Sequence, residues 1–187
     1  MKYMRILMLG NSFTAHNNLP NMVAKLTGAE VVAHTRGGAR LAEQLNTDTE
    51  LGSRTINALR NEKWDYVVLQ EMSNAPALST DKFYDSARAL CDEIKAHGAV
   101  PVFYATWAYE RNSEQLEKAG LSYEEMYKKM SDAYNEAARV NGALIAEVGK
   151  AFYEIADDVS LYEPDGSHPN ITGSVLAAKT IADTLIQ

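Results

Sequence analysis

The sequence predicts a three-layer α/β/α sandwich, and three observations carry that prediction. Apolar runs of strand length recur along the chain, helical patterns separate them, and the runs are nearly continuous rather than alternating. A strand with both faces buried has no wet side to leave polar. Such runs therefore belong to a parallel sheet covered by helices on both sides.

The elements follow in order. "MRILMLG" is the first strand; it is too brief for a signal segment or a membrane span. Pro20 suits the first turn of the helix in "LPNMVAKLTG", and Gly28 closes it. "EVVAH" and "DYVVLQ" are the second and third strands. Ser79 or Thr80 caps a helix running to about His97-Gly98, and "VPVFYATW" is the fourth strand. The longest helix lies in "SYEEMYKKMSDAYNEAARVNG", with Tyr123, Met126, Met130, Ala133, Ala137 and Val140 as its apolar stripe. Glu124-Lys128 and Glu125-Lys129 are expected as i,i+4 pairs on its wet side. "ALIAEVG" is the fifth strand, and a last helix follows Pro169 and carries Val175, Leu176, Ala178, Ile181 and Leu185 as its apolar residues. Right-handed crossovers leave few topologies for five parallel strands, and the flavodoxin-like order 2-1-3-4-5 is expected. A length of 187 residues fits one domain, residues 1–187.

Composition removes several classes of function. With 25 acidic and 18 basic residues the formal charge is -7, which disfavours nucleic acid and anionic membrane surfaces. Cys91 is the single cysteine, so no intrachain disulfide is available, and Phe83, Ala87, Leu90 and Ile94 around it mark a buried thiol. The four histidines lack metal-ligand spacing, so neither a metal nor another cofactor is expected. With no signal segment read, a cytoplasmic location is expected, or a secreted or periplasmic one where a leader has been removed.

In the predicted strand order the switch point lies between the first and third strands, and ligands bind beyond the carboxyl ends there. Polar residues converge on that rim. The first strand runs into "GNSFTAHNN", which puts Ser12 just past its end; a loop serine by itself is unremarkable. The second runs into "HTRGGARL", where Gly37 and Gly38 either make a tight turn or let backbone N–H groups approach a ligand. The third ends at Gln70-Glu71, a carboxamide that needs partners if buried and suits developing negative charge. Near the carboxyl end, "YEPDGSHPN" sets Asp165 and His168 three residues apart before the last helix. That loop is either a turn with a bystander imidazole or an acid orienting a base. Trp107, with Tyr104 and Tyr109, follows the fourth strand and reads equally as a substrate-pocket wall and as core packing. His16, in the serine loop, is a solvated residue or a substrate contact, and Glu163 reads as a solvated charge.

On these residues the chain resembles the SGNH hydrolases, the GDSL-like esterases and acylhydrolases. The first block is matched by "LGNSFT", with Asn11 where the family usually has Asp; the second by "RGGARL"; the last, D-x-x-H, by Asp165 and His168. The third block departs, since Gly-x-Asn-Asp is absent and Gln70 of "LQEMSNAP" stands at the strand end, as in a bacterial branch with glutamine there. The resemblance implies Ser12 as nucleophile, His168 as base and Asp165 as its partner. It implies an oxyanion hole of Ser12, Gly38 and Gln70, with Gly37 and Asn74 as rival donors. The implied activity is a serine esterase acting through an acyl-enzyme on a short-acyl ester, an O-acetylated carbohydrate being one candidate; a thioesterase or lysophospholipase is a further possibility within the enzyme class. The reading from another class is a catalytically silent flavodoxin-like module that binds a sugar or anion at the same rim.

Overall fold

The computed structural model describes residues 3–187. Five parallel strands form one sheet in the order β2-β1-β3-β4-β5: β1 (Arg5–Gly10), β2 (Glu30–Thr35), β3 (Tyr66–Leu69), β4 (Val100–Tyr104) and β5 (Leu144–Ala146). Leu9 is in register with His34 on one side and Leu69 on the other. Shared register brings the carboxyl ends of the three strands to one level, and with them the loops holding Ser12, Gly38 and Gln70.

The helices are α1 (Ser12–Ala15), α2 (Leu19–Thr27), α3 (Leu41–Leu45), α4 (Glu50–Asn61), α5 (Ala75–Leu78), α6 (Thr80–Ala96), α7 (Glu114–Ala119), α8 (Tyr123–Asn141), α9 (Val148–Ile155) and α10 (Ile171–Leu185), with a 3₁₀ turn at His16–Asn18. Ile6, Leu7, Met8 and Leu9 of β1 are all fully buried, as a central parallel strand requires. Cys91 is buried within α6, and burial pushes its thiol up to about 12.

Several local details depart from the sequence reading. Helix α4 is an additional element between the second and third strands; Thr49 caps it by accepting from the Gly52 N–H, and Leu51, Thr55, Ile56 and Leu59 form its buried face. Helix α10 follows Pro169 as expected; its cap is Asn170, accepting from the Gly173 N–H, and Pro169 pairs with Tyr162 in an isolated bridge. Val140 and Val175, read among the apolar residues of their helices, are 57% and 52% exposed. On α8, Glu124 pairs with Arg111 and Glu125 folds back to cap Ser122, so neither reaches the lysine one turn on. A carboxylate in a first helical turn is better used on free N–H groups than on a solvated lysine.

Candidate active site

The nucleophile turn is built by close approach. A Cβ on Gly10 would lie 2.3 Å from Thr14 Oγ1 and 2.5 Å from Gln70 Oε1, so only glycine lets the chain fold back over the strand end. Asn11 then caps α1, its Oδ1 accepting from the Phe13 N–H at 3.0 Å. Ser12 follows in the first turn, half-buried, with Oγ 2.8 Å from His168 Nε2. His168 Nδ1 lies 2.6 Å from Asp165 Oδ2. The other carboxylate oxygen accepts from the N–H groups of Ser167 and His168, both at 2.9 Å. Burial pushes the Asp165 carboxyl up, but the His168 ring and these two N–H groups outweigh it and hold it below its ordinary range.

The loop carrying His168 is fixed from several sides. The Glu163 N–H donates to His168 O at 2.8 Å and the Gly166 N–H to Glu163 O at 2.9 Å. From the segment after β4, the Glu110 N–H reaches Gly166 O at 2.8 Å and Trp107 Nε1 reaches Ser167 O at 2.9 Å. The Phe13 ring meets His168 edge-on at 5.3 Å and stacks on Trp107 at 4.8 Å, which stacks in turn on Phe152 at 4.2 Å. Trp107 is 0% exposed. This corrects its candidacy as a substrate contact: both indole faces are covered and no sugar can stack there. Tyr104 and Tyr109 are buried as well, Tyr109 bonding Ser73 Oγ at 2.7 Å.

A second correction concerns Gln70. Its Oε1 accepts from the Asn11 N–H at 3.0 Å and from Thr14 Oγ1 at 2.8 Å, while Nε2 donates to Glu71 O at 2.6 Å. The N–H of Asn11 can only donate, which fixes the amide orientation. The side chain is buried beneath the nucleophile turn and supports that turn instead of facing a ligand. Asn74, four residues on, is half-buried, and its side-chain amide has no hydrogen bond among the described residues. It is the carboxamide on this rim still free to donate.

Gly38 occupies the third position of a turn closed by the Ala39 N–H on Arg36 O at 3.0 Å, with φ +69°, the left-handed value that favours glycine. Like the Ser12 N–H, the Gly38 N–H has no internal partner among the described residues. Two clamps set this loop. Asn11 Nδ2 donates to Ala39 O at 3.3 Å, and Glu71 Oε1 accepts from the N–H groups of Leu41 at 3.2 Å and Met72 at 2.6 Å. Burial raises the Glu71 carboxyl against the pull of those two donors. His16 turns its Nε2 to Glu163 Oε1 at 3.2 Å, with its ring 5.4 Å from that of His168, so Glu163 is a paired acid at the site.

Of the residues the sequence reading named, Ser12, His168 and Asp165 are in mutual contact, and Gly38 keeps an N–H with no internal partner among the described residues. It missed the supporting set, Phe13, Asn17 and the Trp107 indole N–H. The density of polar residues in "NSFTAHNN" was the available signal, since a bare crossover turn needs few of them. No group of three or more potential metal ligands occurs among the described residues.

No family model matches the chain, and no curated protein does. Among solved structures, a candidate SGNH hydrolase from Slackia heliotrinireducens is 48% identical over 98% of this chain and 100% of its own, with a TM-score of 0.95. A DUF4886 family protein from Bacteroides uniformis has a TM-score of 0.73 at 24% identity, over 99% of this chain and 83% of its own. An acetyl-xylooligosaccharide esterase variant from Geobacillus has a TM-score of 0.72 at 13% identity, over 98% and 94%. The last two similarities establish the fold alone. The first, at nearly half identity over the full length, establishes descent: the chain belongs to the SGNH hydrolase superfamily, hydrolases of ester bonds.

Proposed function

We propose that residues 1–187 act as a single-domain serine esterase in which Ser12, His168 and Asp165 form the catalytic triad. The observation that carries this reading is the pair of contacts at His168, 2.8 Å to Ser12 Oγ and 2.6 Å to Asp165 Oδ2. Asp165, held ionised, keeps the proton of His168 on Nδ1 and leaves the Nε2 lone pair facing the hydroxyl. Nε2 takes the Ser12 proton as Oγ attacks the ester carbonyl, then delivers it to the departing alcohol oxygen. A water attacks the acyl-enzyme by the same route and releases the acid.

Negative charge that develops on the carbonyl oxygen meets the N–H groups of Ser12 and Gly38 and the Asn74 amide. None of the three is spent on an internal bond, and a donor already in place costs no reorganisation at the transition state. The preferred substrate has a short acyl group on a polar alcohol, of which an O-acetylated carbohydrate is one example. Support comes from the rim: Phe13, Trp107 and Tyr109 are all packed inward, leaving His16, Glu163, Asn74 and glycine backbone to face the substrate. A silent binding module would leave the aligned Ser12–His168 contact without a task.

A fluorophosphonate probe tests the mechanism, and a panel of acyl chain lengths with acetylated sugars tests the substrate. Labelling confined to Ser12 and abolished in His168→Ala is expected, with rate falling as the acyl chain lengthens. Labelling that survives Ser12→Ala would remove the proposal.

A further inference from the structure

The nucleophile and the base come from opposite ends of the chain, so something must hold those ends in register. We infer that Asn17, five residues after the nucleophile, is the positioning residue that does so. This rests on the triad proposed above, and it concerns a residue that touches neither substrate nor the reacting atoms.

Asn17 has φ 53° and ψ 21°, and Asn18 beside it φ 55° and ψ 45°; both lie in the left-handed region, which asparagine tolerates better than most residues. Together with His16, which leaves the helix at φ −59° and ψ 142°, the paired left-handed residues separate α1 from α2. The interruption turns the Asn17 side chain across to the carboxyl end of the chain. Its Nδ2 there donates to Pro169 O at 3.1 Å and to Ser174 Oγ at 2.9 Å. Pro169 directly follows His168, and Ser174 is 1% exposed in the first turns of α10. Both amide hydrogens are thus used, one on the loop that carries the base and one on the helix that anchors that loop.

One short segment therefore supplies the attacking hydroxyl and the clasp that sets its distance to the base. The neighbouring His16–Glu163 pair at 3.2 Å grips the same loop on the other side of His168. Only a donor suits the Asn17 position. Its carbonyl partner at Pro169 has no hydrogen to give, so a carboxylate there would face an acceptor with an acceptor.

Two substitutions separate this role from general stability. Asn17→Asp keeps the shape and removes the donors; Asn17→Gly keeps the left-handed backbone and removes the side chain. A misplacement of the base by about 1 Å costs up to about 100-fold, so kcat is expected to fall between about 10- and 100-fold in both, with KM within about twofold. Ser12 labelling by a fluorophosphonate should slow by the same factor, measured well below each variant's melting temperature. A residue that served stability alone would lower the melting temperature and leave kcat and labelling of the folded protein unchanged, and that result overturns the inference. Should Asn17→Asp fail to fold, Asn17→Gly decides. Ser12→Ala, run alongside, tests the triad separately: activity retained there defeats the triad, whereas activity retained only in the Asn17 variants defeats the clasp alone.

Discussion

Ser12 Oγ and His168 Nε2 lie 2.8 Å apart although 156 positions of chain separate them. No local propensity produces such a contact. It follows from the sheet order, which places β1 centrally, and from α10 packing back against α2, so that both chain ends reach one rim. The fold supplies coarse proximity, and the last ångström is set by hydrogen bonds and ring contacts around each partner.

The two carboxamides after β3 should respond differently to truncation. Asn74→Ala removes an unspent donor, so kcat is expected to fall by about 10²–10³ with little change in melting temperature. Gln70→Ala strips an acceptor from the buried Asn11 N–H and Thr14 hydroxyl, costing about 1–3 kcal/mol of stability. Kinetics and thermal unfolding measured on the same two preparations check the split. A Gln70 variant of normal stability with an Asn74 variant of normal kcat would reverse the assignment.

How far the site could be read in advance depended on what each residue's role requires. Ser12, Asp165 and His168 were legible because their positions follow from strand ends and from a three-residue spacing on one turn. Gln70 was placed on the right strand end, yet its direction depends on whether a donor or a ligand lies nearest, and that is set by the backward fold of Asn11–Thr14. Trp107 was ambiguous for a similar reason: an aromatic past a strand end packs inward or outward according to neighbours remote in sequence, here Phe13 and Phe152. The inner strands β1, β3 and β4 were legible because burial on both faces leaves a compositional mark, whereas the edge strands β2 and β5 are only partly buried and show it through their few apolar residues. Helix α4 was not legible, since seven of its twelve residues are polar and its cap, Thr49, lies in a polar stretch.

Asn11 stands where the superfamily usually has an acid, and its Nδ2–H bond to Ala39 O gives the asparagine a use that a carboxylate lacks. In Asn11→Asp the Phe13 N–H keeps its acceptor while the Ala39 carbonyl faces a carboxylate oxygen at about the same 3.3 Å. A lost donor of this kind costs on the order of 1–2 kcal/mol, so kcat should drop roughly tenfold. Protonating the new carboxyl restores a donor. The ratio of variant to parent rate should therefore rise as pH falls toward the carboxylate range, and a ratio still constant down to about pH 4 would show that this bond does not position the Gly38 loop.

The buried ring of His34, Thr55 and Gln44 beneath the second strand predicts a loss of stability in acid. Thr55 Oγ1 donates to Gln44 Oε1 at 2.5 Å and so accepts from His34 Nδ1 at 3.0 Å, while Gln44 Nε2 closes the ring on His34 O at 3.1 Å. Burial first, and Arg54 second, lower His34 from 6.5 to about 4. Below pH 6.5 the unfolded chain binds a proton that the folded chain refuses, so stability declines as pH falls, levelling near pH 4 after a loss of about 3 kcal/mol. Glu71 acts in the opposite sense, because its raised folded value makes the folded chain take up a proton first. Urea midpoints of the parent and of His34→Gln across this range isolate the histidine, since the Glu71 contribution is common to both. Parallel curves would exclude it.

Trp107 offers the sharpest test of whether an aromatic on this rim serves the substrate or the scaffold. Trp107→Phe retains a ring between Phe13 and Phe152 but loses the indole N–H that holds Ser167 O, one residue before His168. If the indole walled a pocket, KM for an acetylated sugar would rise and kcat would hold. A side chain with no exposed surface cannot be felt by the substrate directly. The expected outcome is therefore a lower kcat with unchanged KM, accompanied by about 1–3 kcal/mol lost from stability as the Ser167 carbonyl goes unsatisfied. Steady-state kinetics on acetylated sugars and on a small aryl acetate should show the same loss for both, because the defect travels through His168, which both substrates need.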